Sequence, residues 1–273
     1  MVDSMTGLFG FLKVSHRTML DNLRSSLIVT LLFAGIACMY AGFYPAFKDY
    51  LEGFAGSMPE GMNMIRGIES MTSYLGFLNV ELYQVFWILI LGILIGFIAA
   101  SIVSREVEGK TVDLLLSTPV SRKQVVFGKY LGLIPFILLV NFATMLAVYG
   151  VTLAINETIN LNNLFMTHVV SLLYFMAIAG IGIVISVLFD EKMKASIVMI
   201  AVVVAMFIFE SISLIVPDYK SIGYLSLMHY YNPADILLRG DVDGAGVVVL
   251  LAVIVETLVF AMLYFEHRDI AIS

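Results

Sequence analysis

Long apolar runs dominate the chain and are separated by shorter polar stretches. Six of these runs reach or approach the roughly 20 residues that a helix needs to cross a bilayer. They are residues 26–44, 83–103, 125–155, 164–189, 195–216 and 245–265. We therefore predict an all-α integral membrane protein in which six transmembrane helices form a single transmembrane domain over residues 1–273.

Residues 1–25 have a different pattern, that of an amphipathic helix. One face carries charges and the other carries apolar side chains; the first set is Lys13, Arg17, Asp21 and Arg24, and the second is Met5, Leu8, Leu12 and Met19. A helix with a basic face typically lies in the membrane interface. An ordinary flanking segment whose cations only fix the topology explains the pattern equally well. We predict an amphipathic connecting helix ahead of the first span.

Two longer connections are less polar than ordinary loops. In residues 45–79, apolar side chains recur at helical spacing, so we expect part of this connection to pack as a helix on the outer membrane face. These are Ile65, Ile68, Met71, Leu75 and Leu78. Residues 217–244 contain two short apolar pieces, 222–228 and 236–238. Both pieces are too brief to cross a bilayer.

The longest charged interruption lies between the second and third runs, at residues 104–124, and we call it the elbow. On a helix, Glu106, Lys110, Asp113 and Ser117 would share one face. Glu106 precedes Lys110 by four residues, which is the better order for a helical ion pair. The pattern predicts a short amphipathic helix in water at one membrane face.

The second half of the elbow contains residues that end one helix and begin the next. Pro119 disfavours helical geometry at Thr118, so the first helix should end there. Ser121 and Gln124 have the spacing of a capping box, which would begin the third span. The elbow is therefore predicted to be rigidly joined to a membrane-spanning helix.

Composition supports the membrane assignment. The chain is 60% hydrophobic and only 13% charged, and its mean hydropathy is +0.98, so its polar residues could not cover a soluble fold. The net charge of -6 and the lack of a basic stripe argue against nucleic-acid binding. The single cysteine, Cys38, lies within an apolar run and cannot form an intrachain disulfide.

The distribution of cations predicts the topology. Six crossings place both ends of the chain on the same side of the membrane. Lys and Arg are concentrated before the first span, in the elbow and in the turn at residues 190–194. The other connections hold only Lys48, Arg66, Lys220 and Arg239, among many acids. The positive-inside rule then predicts a multi-pass protein of the cell membrane with both termini and the elbow in the cytoplasm.

The elbow also carries a recognisable sequence pattern. Arg105-Glu106, Glu108-Gly109-Lys110-Thr111, the run from Asp113 to Arg122, and Gly128-Lys129-Tyr130 closely resemble R-E-x-x-x-G-T-x-x-x-L-L-S-T-P-V-S-R followed by G-K. This is the pattern of the membrane (permease) subunits of type 2 ABC transporters. Lys110 separates Gly109 from Thr111, whereas the commoner form has an adjacent Gly-Thr pair. The pattern is specific for the family and uninformative about cargo.

The resemblance implies a function, partners and a set of residues that couple them. It implies a permease subunit of an ATP-driven exporter that expels a drug, a peptide or a lipid-like substrate; an accessory or sensory membrane subunit would carry the same elbow. The partners would be a separate ABC ATPase subunit, which binds ATP and Mg, and a second copy or paralogue of this chain. The elbow would couple to the ATPase through Arg105, Glu106, Glu108, Gly109, Lys110, Thr111, Asp113, Leu115, Leu116, Ser117 and Pro119. Short, re-entrant outer helices between the fifth and sixth spans are also implied.

Motifs for chemistry are missing from the sequence. It contains no G-x-x-x-x-G-K-[ST], so the chain has no P-loop for ATP. It also lacks H-E-x-x-H, C-x-x-C and G-x-S-x-G patterns. We therefore expect no enzyme activity, cofactor or metal in this chain itself, and we expect ATP hydrolysis in a partner.

Three polar residues within the predicted spans are candidates for a substrate pathway: Asn141, Glu210 and Glu256. A charge at the bilayer centre costs at least about 2.5–3.5 kcal/mol, so such residues normally face protein or water. Each could contact cargo or only brace helices. His168 is expected at the membrane interface. The ridge of Gly92, Gly96 and Ala100 would allow close helix packing, either within the subunit or at a dimer seam.

Overall fold

The computed structural model describes residues 2–55, 71–111 and 120–268, and the regular secondary structure of these residues is entirely helical. Six helical stretches are long and apolar enough to cross a membrane, and we number them as spans. Span 1 is Gly10–Leu51, span 2 is Tyr74–Glu108, span 3 is Arg122–Ala154, span 4 is Leu161–Leu188, span 5 is Lys192–Ile215 and span 6 is Gly244–His267. The chain is therefore a multi-pass membrane protein, and the prediction of six apolar spans is confirmed.

Span 1 belongs to a much longer helix than the sequence predicted. The expected connecting helix and the first apolar run form one unbroken helix, Val2–Ala55. It continues through Pro45, so the prediction of a loop immediately after residue 44 is wrong. A proline removes one backbone hydrogen bond, but membrane helices tolerate that loss because neighbouring groups satisfy the freed carbonyl. Residues 56–70, where part of the outer helix was predicted, lie outside the described residues.

Span 2 begins earlier than predicted and is built from consecutive pieces. An α-helical turn, Tyr74–Leu78, leads into a π-helix, Asn79–Leu91, and then into Gly92–Ser101. Ser73 caps the first turn, because its hydroxyl accepts a hydrogen bond from Gly76 N. The final piece, Ser104–Glu108, is also the start of the elbow.

Spans 3 to 6 lie close to their predicted positions. Span 3 contains Arg122–Leu131 and Ile134–Ala154, and it begins with the predicted capping box. Ser121 N donates to Gln124 Oε1 at 2.9 Å, and Gln124 N donates to Ser121 Oγ at 3.3 Å. Asn160 caps span 4 and Asp243 caps span 6 through their side-chain oxygens.

Span 4 is the central helix of the bundle, since it contacts spans 2, 3, 5 and 6, while span 1 packs along span 3. The predicted small-residue ridge lies inside this core. A Cβ atom on Gly96 would lie 2.9 Å from Met199 of span 5, and one on Gly182 of span 4 would lie 2.7 Å from Ala99. The ridge therefore serves close packing within the subunit.

The bundle has two ends, which we call the elbow end and the far end. The start of span 3 contacts the N-terminal part of the first helix at the elbow end, and Arg268, just after span 6, lies there as well. The far end holds three short helices, Pro217–Leu225, Leu227–Tyr230 and Asp235–Arg239, which contact the ends of spans 4, 5 and 6. They are too short to cross a membrane, as the sequence predicted.

Candidate functional site

The first arm of the elbow is shorter than its sequence pattern predicted. Its helix ends at Glu108, Gly109 forms the C-cap, and Lys110 has a left-handed backbone with φ of 53°. The prediction of a continuous helix that places Glu106 and Lys110 on one face is therefore wrong. The helix ends here because Thr111 N returns to donate to Glu106 O at 3.0 Å, which closes the turn.

A buried ion pair joins this arm to span 3. Lys129 Nζ lies 2.5 Å from Glu106 Oε1, and only 3% of the Lys129 side chain and 18% of the Glu106 side chain are exposed. The hydroxyl of Thr111 donates to the other carboxylate oxygen of Glu106. Removing one partner from such a pair leaves a buried charge uncompensated, so the two elements are firmly held together.

Spans 4 and 5 also bind the first arm. The buried hydroxyl oxygen of Ser186, in span 4, accepts hydrogen bonds from Val103 N at 2.9 Å and Ser104 N at 3.0 Å. Glu108 Oε2 accepts a hydrogen bond from Lys192 N, the first residue of span 5, at 3.0 Å. The short helix Ser104–Glu108, which continues span 2, is therefore bonded to spans 3, 4 and 5 as well.

Other elbow residues remain accessible from outside. Arg105 is half-buried, while Glu108, Gly109, Lys110 and Thr111 are exposed. The remaining predicted coupling residues, Asp113, Leu115, Leu116, Ser117 and Pro119, lie in residues 112–119, outside the part of the chain that the structure describes.

A second set of ionic contacts surrounds the start of span 3. Lys123 Nζ lies 2.7 Å from Glu266 Oε2 at the end of span 6. Arg268 pairs with Asp190 in the turn between spans 4 and 5, at 2.5 Å. Arg122 donates to the backbone oxygen of Arg268 at 2.5 Å. These contacts link spans 3, 4, 5 and 6 at the elbow end.

The N-terminal helix crosses span 3 at two glycines. A Cβ atom on Gly128 would lie 2.7 Å from Phe11 O, and one on Gly132 would lie 2.6 Å from Thr18 Cβ. Gly128 and Gly132 are four residues apart, so they form one smooth face that lets the helices approach closely. The residues just after the elbow therefore contact the N-terminal helix directly.

Asn141 lies inside the bundle within a buried hydrogen-bond network. Its Oδ1 atom is 2.8 Å from His168 Nδ1, and its Nδ2 atom donates to Ser171 Oγ at 2.7 Å. His168 Nε2 lies 2.9 Å from the hydroxyl of Tyr83. His168, which was expected at the membrane interface, is fully buried among spans 2, 3 and 4. Tyr83 and His168 are far apart in sequence, so no local pattern could reveal their contact.

Glu210 lies near the far end of span 5 and is also buried. Its Oε2 atom is 3.1 Å from His229 Nδ1, in the segment between spans 5 and 6. A cavity of about 420 Å³ opens beside His229 and is also lined by Lys220, Asp235 and Arg239. Glu210 therefore links span 5 to the wall of a polar cavity.

Glu256 has different surroundings from the other two candidates. It lies near the middle of span 6 on the exposed side of that helix, beside Val255 and Val259. Within the described residues, no hydrogen bond or ion pair to its side chain is found. The three candidate pathway residues thus lie in three different surroundings rather than around one cavity.

This geometry defines a class: a six-span membrane subunit with a charged elbow that is tied to several spans. The sequence model of the ABC-2 family transporter proteins matches residues 15–270. The match covers nearly the whole chain, so the chain belongs to this family, as the elbow pattern indicated. Members of this family are transmembrane permease subunits that lack an ATPase domain, and membership implies association with an ABC ATPase subunit. No curated protein sequence matches the chain.

Proposed function

We propose that this chain is the permease subunit of an ATP-driven exporter and that its elbow is the docking site for the ATPase subunit. The concentration of cations at the elbow end supports a cytoplasmic location for the elbow and both termini. ATP and Mg would bind in the partner. A second copy or a close relative of this chain would complete the transporter, which would expel a drug, a peptide or a lipid-like molecule.

The observation that carries this proposal is the buried ion pair between Glu106 and Lys129. A docking element transmits force only if it cannot slip against the helices that it moves. The ion pair fixes the first arm of the elbow to span 3, and the helix of span 2 continues into that arm. Closure of the ATPase subunits would therefore tilt spans 2 and 3 together.

Docking itself would use the accessible part of the elbow. Arg105 and Lys110 offer positive charge, and Gly109 and Thr111 offer small exposed surfaces. Glu106 and Glu108 are directed to other spans, so we assign them to transmission rather than to direct ATPase contact. Asp113, Leu115, Leu116, Ser117 and Pro119 stay in the proposed docking set on the strength of the sequence pattern.

Among the residues proposed for the substrate pathway, Glu210 has the most suitable surroundings, because its partner His229 lines the cavity at the far end. Asn141 has its amide oxygen and nitrogen bonded inside the bundle, which favours a bracing role. Glu256 would reach only molecules that approach span 6 from outside the subunit.

Charge exchange in the ion pair tests the proposal. Glu106→Lys and Lys129→Glu each place like charges together in a buried site, while the double variant restores an opposite pair. Breaking a buried pair costs about 3–5 kcal/mol. We expect each single variant to abolish stimulation of the cognate ATPase by the permease, and we expect the double variant to recover a substantial part of it.

The control exchanges an exposed pair at the same end, Glu191 and Lys194, which lie 2.5 Å apart. Exposed pairs contribute little, so its single variants should retain stimulation. Full stimulation by Glu106→Lys would contradict the proposal. So would a double variant that binds the ATPase but stimulates it no better than the single variants.

A further inference from the structure

We propose that Glu108 is a positioning residue that carries the motion of the elbow into span 5 and from there to the far end of the subunit. This inference rests on the proposed docking of the ATPase at the elbow.

Span 5 receives its N-terminal cap from the elbow and not from a residue next to it in sequence. The first amides of a helix lack partners within that helix. The residue at the cap position, Glu191, makes no side-chain cap hydrogen bond, and its carboxylate pairs with Lys194. Glu108 Oε2 accepts the hydrogen bond from Lys192 N at 3.0 Å. A negative charge at this position also complements the helix dipole.

The base that carries Glu108 is rigid. Glu108 is the last residue of the short helix Ser104–Glu108. Two residues before it, Glu106 is held by the buried Lys129, and the start of the helix is held by the hydroxyl of Ser186. A displacement of the elbow therefore moves the Glu108 carboxylate with it, and the carboxylate pulls or releases the first turn of span 5.

The opposite end of span 5 makes the contacts that such a motion would reach. Glu210 lies within hydrogen-bonding distance of His229, and span 5 packs against the short helix Pro217–Leu225. Span 5 is one continuous helix, Lys192–Ile215, so a shift at Lys192 would be carried along it toward the far-end cavity. Glu108 thus connects the docking site to the segment that borders this cavity.

Hydrogen exchange of the permease alone tests the cap. We compare wild type with Glu108→Ala, Glu108→Gln and Glu191→Ala, and we follow the peptide that covers residues 190–196. Glu108→Ala should accelerate exchange in this peptide about fivefold, as loss of a typical helix cap does. Glu108→Gln keeps an acceptor oxygen and should stay near wild type. Glu191→Ala removes the same charge from the same helix end without removing the cap, so it should also stay near wild type.

Hydrogen exchange of the complex tests the transmission. The cognate ATPase is bound, with and without ATP and vanadate, and the far-end peptide over residues 217–230 is followed. We expect a nucleotide-dependent change in wild type that is lost in Glu108→Ala and returns in Glu108→Gln. A role confined to stability would not alter this nucleotide response.

Two results would overturn the proposal. Unchanged exchange at residues 190–196 in Glu108→Ala would mean that Glu108 is not the cap. Faster exchange there with an unaltered far-end response would mean that the cap is local and transmits nothing. If the wild-type chain binds no ABC ATPase, the proposed function fails for every variant alike, and this is distinct from a failure confined to Glu108.

Discussion

Glu256 illustrates how a single membrane residue can differ from its neighbours in the same helix. Its carboxyl group lies on the exposed side of span 6, between apolar side chains, and away from the ionic contacts at the elbow end. A charge in the middle of a bilayer is costly. The side chain therefore contributes little to the stability of the isolated subunit.

This reasoning predicts opposite outcomes for two carboxylates. Glu256→Leu should leave the unfolding temperature of the detergent-purified subunit unchanged or raise it, because no hydrogen bond or ion pair among the described residues is lost. Glu210→Leu should destabilise the subunit by about 1–3 kcal/mol, because it leaves His229 without its buried partner. Thermal unfolding followed by circular dichroism measures both. A large loss of stability in Glu256→Leu would contradict the prediction.

At the residue scale, local sequence predicts only local contacts. The capping box at Ser121 and Gln124 follows from a spacing of three residues and is present as predicted. The partner of Glu106 could not be found in this way. Helical spacing predicted Lys110 as the ion-pair partner of Glu106. The structure instead pairs Glu106 with Lys129 of span 3, which is 23 residues away in sequence.

At the scale of whole helices, the spans are predictable because a bilayer requires long apolar segments whose backbone is satisfied internally. Their ends are less predictable. The first turns of span 2 were missed because they contain the polar residues Asn79, Glu81 and Gln84, which lower the local hydropathy. Asn79 is nevertheless fully buried in the bundle. Pro45 marks a helix end in most soluble proteins, yet here the helix continues through it.

The crossing of the N-terminal helix over span 3 gives a prediction at this scale. Gly132→Ala adds a methyl group 2.6 Å from Thr18 Cβ, so the two helices must separate. We expect a loss of about 1–3 kcal/mol in the free energy of unfolding, as overpacking of a dense contact produces. Denaturant unfolding of the purified subunit provides the measurement.

Gly150, in the same span, supplies the matched control. In the part of the chain that the structure describes, nothing outside the local helix backbone lies within 4 Å of a Cβ added there. Gly150→Ala should therefore be neutral or stabilise the helix by about 0.5–1 kcal/mol, because alanine is the better helix former. Equal stability of the two alanine variants would show that the close approach at Gly132 does not hold.

At the scale of the whole molecule, the distribution of cations predicts which end faces the cytoplasm. Cys38 is the only cysteine, so a Cys38→Ser background allows single cysteines to be placed at will. Lys110 at the elbow end and Lys220 at the far end are both exposed. In intact cells, an impermeant thiol reagent should label Lys220→Cys directly and should label Lys110→Cys only after permeabilisation.

The opposite labelling pattern would place the elbow outside the cell and would remove the basis for docking an ATPase there. Labelling of both cysteines only after permeabilisation would contradict the external position of residues 217–230.

The arrangement of the spans around span 4 could not be predicted from the sequence. Hydropathy gives the number and order of crossings, but the apolar faces of span 5 and span 6 look alike in a one-dimensional pattern. The packing depends on shape, such as the fit of Gly182 against Ala99. It also depends on buried groups such as His168, whose partners come from distant parts of the chain.

The two ends of the bundle are held by different kinds of force. Half-exposed ion pairs such as Lys123 with Glu266 add to the buried Glu106–Lys129 pair at the elbow end, whereas the far end also contains inserted aromatic rings such as Tyr231, which stacks on Tyr174 and donates to Thr167 O. Dissolved electrolyte screens the first kind and barely affects the second. Raising the ionic strength should therefore weaken the half-exposed contacts at the start of span 3, while the buried Glu106–Lys129 pair and the aromatic contacts of Tyr231 stay largely unchanged.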